Sequence, residues 1–509
     1  MKKFITVLGI LFLTIIVMLN LIYNTDMTAS EQITTHFNSV LFVVGLIAVG
    51  AILFSVTYFA NKHLFNDTET KNRHKLRVIL FVIAILLYIV FAVVFNIVVR
   101  PYVVGDSVHV CNLAQTFYRG NDELLTHDTY LGITLFEYMQ AYPQQISLAF
   151  VFSIIFHIVH NDLMEILRIF NIQCILLMLF AIYKITKQLA KTYKVNIVLM
   201  LVLFLTFFTI PMLTTFLYGD IPSLAFCLLA VYFMMKYTET KKLRYPILAT
   251  IFTMFAYMMR MNSLIFIIAT VIYLLFSFFK GCTKRKGKEN ALQIAVIVCY
   301  VVLSILPTTL VQNYYAKAYN LDESKRYPMT SYLLMAMEEG PRANGWYSEE
   351  IASKAITDPE AAKAEYPQKI RERLSYFASN PGYAFQFYTG KIASTWTENT
   401  YSAIMNNTLD DNAPINKVKE PLTFYQKVLL LLTCLCCIVI LIQNRKNLSL
   451  EVIFLVTIFI GGFLFHLLWE AKSRYILPYI VVLIPIASIA IQKFKRKPQD
   501  IEQEAKALE

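Results

Sequence analysis

Arg100-Pro-Tyr-Val-Val-Gly-Asp106-Ser-Val-His109 opens a polar stretch that runs through Asn121-Asp122-Glu123 and closes on Tyr142-Pro-Gln-Gln145. It is about 45 residues long and lies between two strongly apolar regions. Its boundaries decide how the flanking segments are read. A carboxylate just past the end of a membrane helix stands where headgroups and water meet, a suitable place for a base. Taken alone, Asp106 reads equally well as a solvated loop residue.

The chain has 509 residues, 57% of them hydrophobic and 16% charged. Its mean hydropathy is +0.55. Apolar runs of about 20 residues recur, the length that spans a bilayer as helix. Hydrocarbon offers no partner for backbone N–H and C=O groups, so these runs are helices. The fold class is therefore an all-α polytopic membrane protein. Cys111 is the one cysteine in a segment placed outside, so no disulfide framework is expected. Cys434, Cys436 and Cys437 lie in an apolar run and read as lipid- or helix-facing rather than metal ligands. The net charge of +12 is spread over short loops. That distribution sets orientation and argues against a nucleic-acid partner.

Met1-Lys2-Lys3 and the following apolar run read as a first span with a cytoplasmic N-terminus, since the run is too long for a signal peptide. Basic loops at Lys184–Lys194, Lys236–Arg244, Lys280–Lys288, Arg445-Lys446 and Lys493–Lys497 are assigned to the cytoplasm. Parity then forbids Ile146–His160 from crossing, so it is expected to lie at or dip into the outer face. About twelve spans result. The expected divisions are an N-terminal transmembrane hairpin (1–60), a membrane core (78–311) with the outer loop 100–145, an outer, mainly helical domain (312–424), C-terminal transmembrane helices (425–492) and a cytoplasmic tail (493–509).

Arg100, Arg260, Lys472 and Arg474 then fall at outer helix ends, against the positive-inside rule. Singly, each reads as snorkelling or as a partner of Glu470. Together they favour an anion held at the outer leaflet. A guanidinium forks onto phosphate, which makes Arg474 and Arg260 the better candidates, with Lys472 beside them. Carboxylates gather on the same face: Asp106, Asp122, Glu123, Asp128, Asp220 and Glu470. One could take the proton of an attacking hydroxyl. Two could hold Mg²⁺ or Mn²⁺; Asp106 has no acidic neighbour, so a metal would need Asp220 or His109. Asp122-Glu123 reads more readily as a solvated pair. Trp346, far from any span, offers a ring face on which a sugar could stack, and Tyr142 and Tyr475 flank the same candidates.

Three stretches carry a family resemblance. They are the span followed by the loop bearing Asp106, the run Tyr142-Pro-Gln-Gln145 leading to Leu167-Arg-Ile-Phe-Asn171, and Ser473-Arg-Tyr-Ile-Leu-Pro478 with Ile484-Pro485. Their order resembles the GT-C glycosyltransferases, in the branch of protein O-mannosyltransferases and aminoarabinose transferases. The resemblance implies inverting transfer of a sugar from a polyprenyl-phosphate carrier to a cell-envelope glycan, lipid or protein outside the membrane. It implies Asp106 as base and Arg474 at the carrier phosphate. The chain departs from the pattern in lacking an acidic pair at Asp106 and in carrying an extra N-terminal pair of helices. A flippase or transporter of lipid-linked glycans is the competing class, but it would place charges mid-span. A polymerase or ligase of envelope glycans is a closer rival. Abundant Lys, Ile, Asn and Phe suggest a low-GC bacterium, hence a plasma-membrane enzyme.

Overall fold

The computed structural model describes residues 2–64, 71–99, 105–129, 131–281, 287–408 and 414–491. Arg100, the centre of the basic loop Lys280–Lys288 and the expected cytoplasmic tail lie outside the described residues. Among the described residues ten helices are long and apolar enough to cross a membrane, from Lys2–Ile22 to Leu450–Leu468. Two of the expected twelve spans are shorter than the rest. Arg244–Met259 has 16 residues. The last apolar segment is broken into Ser473–Val481 and Ile484–Ala487. Pro485 has no N–H to continue the first helix but suits the start of a second. The segment nonetheless reaches from Lys472 to the Lys194 loop, where Ala490 N donates to Lys194 O at 2.7 Å and Asn196 N to Ser488 O at 2.6 Å.

The core joins the first helix, Lys2–Ile22, to Lys419–Gln443 and Leu450–Leu468, with Phe12 stacked on Phe463. Cys434, Cys436 and Cys437 are buried there as free thiols, facing helices. Between the first two spans the chain forms a hairpin, Tyr23–Met27 paired antiparallel with Ile33–Phe37. It is the one sheet among the described residues.

The stretch 105–145 is not an open loop. It folds into helix Asp106–Arg119, a short 3-10 turn and helix Leu135–Ala141, which starts on a Thr134/Glu137 capping box. Val110, Leu113 and Ala114 pack against Ile146, Ala149, Phe152 and Phe156 of helix Gln144–Val159. That helix bends from Leu135–Ala141 by 119°. The sequence hid this because half of Asp106–Arg119 is polar, and its apolar stripe shows only at helical period.

Residues 312–424 begin and end inside the long helices Gly287–Ala318 and Lys419–Gln443, and between these they form helices Met329–Met335, Glu349–Thr357, Pro359–Ser379 and Pro381–Trp396. Asp358 caps the third, accepting from Ala361 N at 3.0 Å, and Pro359 occupies its first turn. This unit is clamped to the membrane part by Lys391. Its ammonium is buried and donates to the carbonyls of Ala336, Leu467 and Trp469 at 2.9, 3.0 and 2.9 Å. Gly345 makes room for it: a Cβ there would lie 2.6 Å from the Lys391 stem, and φ is +74°. Gly345 O also accepts from Ala471 N at 2.7 Å, fixing the turn that carries Glu470 and Lys472.

Candidate active site

A cavity of about 740 Å³ opens between the membrane helices and the 312–424 unit. Asp106 and Arg474 both line it, with Tyr142, Tyr218, Tyr327, Tyr332, Tyr347 and Tyr475. Asp106 is the first residue of its helix, after Gly105 at φ 56°. A helix N-terminus favours a carboxylate there. Tyr218 donates to Asp106 Oδ2 at 3.1 Å, and the Tyr218 hydroxyl accepts from Gln145 Nε2 at 2.6 Å. The motif ending in Gln145 thus supports the aspartate through one tyrosine.

The same tyrosine underlies the cationic side. The Arg260 guanidinium lies 4.9 Å from the Tyr218 ring and 5.3 Å from that of Tyr475. The Arg474 guanidinium lies 4.2 Å from the Phe216 ring and 5.6 Å from those of Tyr218 and Tyr475. Both arginines meet Asp220, Arg260 at 3.2 Å and Arg474 at 3.6 Å. The second contact is too long for a good hydrogen bond. Arg474 Nε and Asp220 Oδ2 are both buried with no hydrogen-bond partner. Asp220 heads helix Asp220–Thr240, and Gly219 precedes it at φ +81°. A Cβ on Gly219 would stand 2.8 Å from Met259 O, so only glycine lets the two loops meet.

Three expectations are corrected. Trp346 is no sugar platform: it is 1% exposed, and its indole N–H donates to Ser394 Oγ at 2.9 Å. The turn Glu470–Lys472 folds over it, a pairing no local sequence signal announces, and tyrosines line the cavity instead. Asp122 and Glu123 are exposed beyond the far end of helix Asp106–Arg119, roughly 20 Å from Asp106 at 1.5 Å per residue. Asp122 lies by Tyr319 there and raises its pKa after burial does. His109 does not join Asp106 at the cavity. It is buried against the Tyr138 ring, with centroids 4.6 Å apart. Burial lowers its pKa, against the pull of Asp106.

With His109 inside and Asp220 engaged by two arginines, the donor set expected for Mg²⁺ or Mn²⁺ does not converge. Among the described residues no three His, Cys, Asp or Glu side chains group as a metal site.

Residues 144–305, just under a third of the chain, match the family model described as dolichyl-phosphate-mannose-protein mannosyltransferase. Over those residues the chain is similar to that family. The matched part holds Gln145, Tyr218, Asp220 and Arg260; Asp106 and Arg474 lie outside it. Comparison with curated proteins finds no match. Among solved structures, the archaeal oligosaccharyltransferase AglB from Archaeoglobus fulgidus, in complex with an inhibitory peptide and a dolichol-phosphate, is similar at 12% identity and a TM-score of 0.42. The likeness covers 84% of this chain and 51% of that one, so this chain spans about half the length of AglB.

Two cavity residues, Glu31 and Asn406, carried no signal in the sequence. Glu31, from the tip of the N-terminal hairpin, pairs with Lys472 at 2.5 Å and with Arg342. Glu470 is 4% exposed, and burial pushes its carboxyl up while Lys472 opposes. Burial, and then Arg474, pulls the Lys472 ammonium down. Asn406 is buried beside the cavity with an amide nitrogen that has no partner. The polar run Asn24–Asn38 between two spans was the one hint of the hairpin.

Proposed function

We propose that the chain moves a sugar from a polyprenyl-phosphate carrier to an acceptor hydroxyl, by single displacement with inversion. The carrier phosphate sits between Arg260 and Arg474 and takes the hydrogen-bonding capacity that Asp220 leaves unused. Asp106 accepts the proton of the acceptor hydroxyl as its oxygen attacks the anomeric carbon. The bond from that carbon to the phosphate oxygen breaks, and the two arginines stabilise the charge that develops on the departing phosphate. Tyr218 aligns Asp106 through its hydroxyl. The tyrosine-lined wall takes the sugar ring, and Asn406 offers a donor to a sugar hydroxyl. The cavity volume lies within the range of small-molecule sites.

One observation carries this reading. Asp106 and Arg474 face one cavity, Arg260 stands beside Arg474, and a single side chain, Tyr218, binds Asp106 and underlies both guanidiniums. Charges of both signs stand at helix ends rather than mid-span, as transfer at a membrane surface requires. The topology that goes with it puts both termini in the cytoplasm of a plasma-membrane enzyme, with the cavity on the extracytoplasmic face. The acceptor is a cell-envelope glycan, lipid or protein.

The test is transfer from a panel of polyprenyl-phosphate sugars by purified protein in detergent, wild type against Asp106→Asn. Sugar transferred, or slowly released to water, by the wild type alone supports the reading. Turnover by Asp106→Asn removes the base assignment. No turnover with any carrier, together with carrier movement across liposomes, replaces transfer with transport.

A further inference from the structure

The N-terminal hairpin is an addition to the membrane core, and its tip enters the cavity. Thr28 N donates to Gln32 O at 3.1 Å and Gln32 N to Thr28 Oγ1 at 3.0 Å, closing the turn. The strands are tied down elsewhere. Lys427 Nζ donates to Tyr23 O at 2.7 Å, Lys419 Nζ to Met27 O at 2.9 Å, and Thr25 and Thr397 hydroxyls meet at 2.7 Å. The tip is therefore held rather than loose. Glu31 adopts φ 61°, a left-handed conformation that glycine or asparagine takes more cheaply. A carboxylate stands at a position where turn chemistry alone would not place it. Its side chain is 12% exposed and bridges Lys472 and Arg342.

We propose that Glu31 is a positioning residue which engages Lys472 and keeps it out of the lipid-phosphate site formed by Arg260 and Arg474. The proposal rests on the glycosyl-transfer reading above. Two arginines against Asp220 leave one positive charge at rest, suited to hold a phosphate and release it. Lys472, two residues before Arg474, would add a second. A site of that charge binds the departing lipid phosphate harder and turns over more slowly. The hairpin thereby gains a function: it sets the charge the product meets.

The test is direct binding of polyprenyl phosphate to the full-length protein in detergent, alongside steady-state kinetics. Glu31→Gln is expected to bind polyprenyl phosphate about ten-fold more tightly, as one freed charge-assisted contact would allow. Its kcat falls while the donor KM does not rise. Glu31→Asp restores wild-type values, and Lys472→Gln placed in the Glu31→Gln background abolishes the tightening. Lys472→Gln alone changes polyprenyl phosphate affinity by less than about two-fold and needs no Glu31 variant to fold. Unchanged or weaker binding by Glu31→Gln, tightening that survives loss of Lys472, or a ten-fold loss in Lys472→Gln alone overturns the proposal. Arg474→Gln is the reference. If it fails to weaken binding, the phosphate site itself is misplaced, a failure separate from that of Glu31.

Discussion

Asp220→Asn separates a structural ion pair from a phosphate site. Asp220 is the shared counter-charge of Arg260 and Arg474, whose side chains are 15% and 4% exposed. Unit charges about 4 Å apart at an effective dielectric near 20 attract by about 4 kcal/mol. Desolvation and the mutual repulsion of the arginines offset part of this. Removing one partner of a buried ion pair costs about 3–5 kcal/mol, because the remaining charge is uncompensated. Asparagine still accepts a hydrogen bond from Arg260, which returns about 1 kcal/mol. The net loss is about 3 kcal/mol, seen as a fall in melting temperature of order 5 °C. An anion between the arginines replaces the missing charge. Polyprenyl phosphate at about 100 times its Kd contributes about 2.7 kcal/mol through binding alone. It binds the variant more tightly than the wild type, so it restores most of the loss. The assay is thermal unfolding in detergent with and without the lipid phosphate. A variant that melts with the wild type, or that the lipid phosphate stabilises less than the wild type, refutes the reasoning.

Asp106→Asn abolishes transfer while its melting temperature stays within about 2 °C of wild type, since an amide oxygen still accepts from Tyr218; melting and transfer assays on one preparation check both. Gly219→Ala is expected to cost about 2–3 kcal/mol, because a Cβ meets Met259 O at 2.8 Å in a left-handed backbone, and to raise the donor KM as Asp220 and Arg260 shift. Trp346→Phe leaves KM values near wild type but lowers the melting temperature through the lost bond to Ser394, whereas Tyr332→Ala, a cavity-lining change, raises an acceptor or donor KM; kinetics on the two variants test which ring meets substrate. Glu470 gives a pH test. Burial raises its folded pKa, so the native state keeps a proton that the unfolded chain loses near 4.5, and stability falls as pH rises from there through the raised value. Glu470→Gln flattens that fall in unfolding scans from pH 4.5 to 8.

Much of this site could be read from the chain because its charges break a statistical rule. Arg260 and Arg474 stand out as cations at helix ends assigned to the outer face, and Asp106 and Asp220 as carboxylates beside them. The structure brings Asp106 and Arg474 to one cavity and sets Asp220 and Arg260 against Arg474 beside it. What could not be read depends on pairings distant in sequence. Lys472 looks like a fourth anion-binding cation until Glu31 arrives from the hairpin. Trp346 looks exposed until Ala471 and Ser394 cover it. The polar stretch after Arg100 reads as loop because its apolar residues are sparse. Val110, Leu113 and Ala114 form one helical stripe, whose partner is the Gln144–Val159 helix. The twelve expected spans exceed the ten long helices among the described residues because Arg244–Met259 is short and the last segment is broken near its prolines.

The placement of Arg474 argues for an anion on physical grounds independent of any relative. It is the second residue of helix Ser473–Val481, where the helix dipole is positive and disfavours a cation. It is 4% exposed, so it has also lost most of its water. Asp106 and Asp220 begin their helices, where the dipole favours their charge. A cation in a poor place, beside carboxylates in good ones, is stabilised at rest by Asp220 and by the faces of Phe216, Tyr218 and Tyr475. Its Nε remains unspent. An arriving phosphate meets the same helix N-terminus and guanidinium, and both then favour it. The arrangement that costs the empty protein stability is thus the one that binds a phosphate best. This is why the Asp220→Asn and Glu31→Gln variants should reveal the site through affinity before they reveal it through rate.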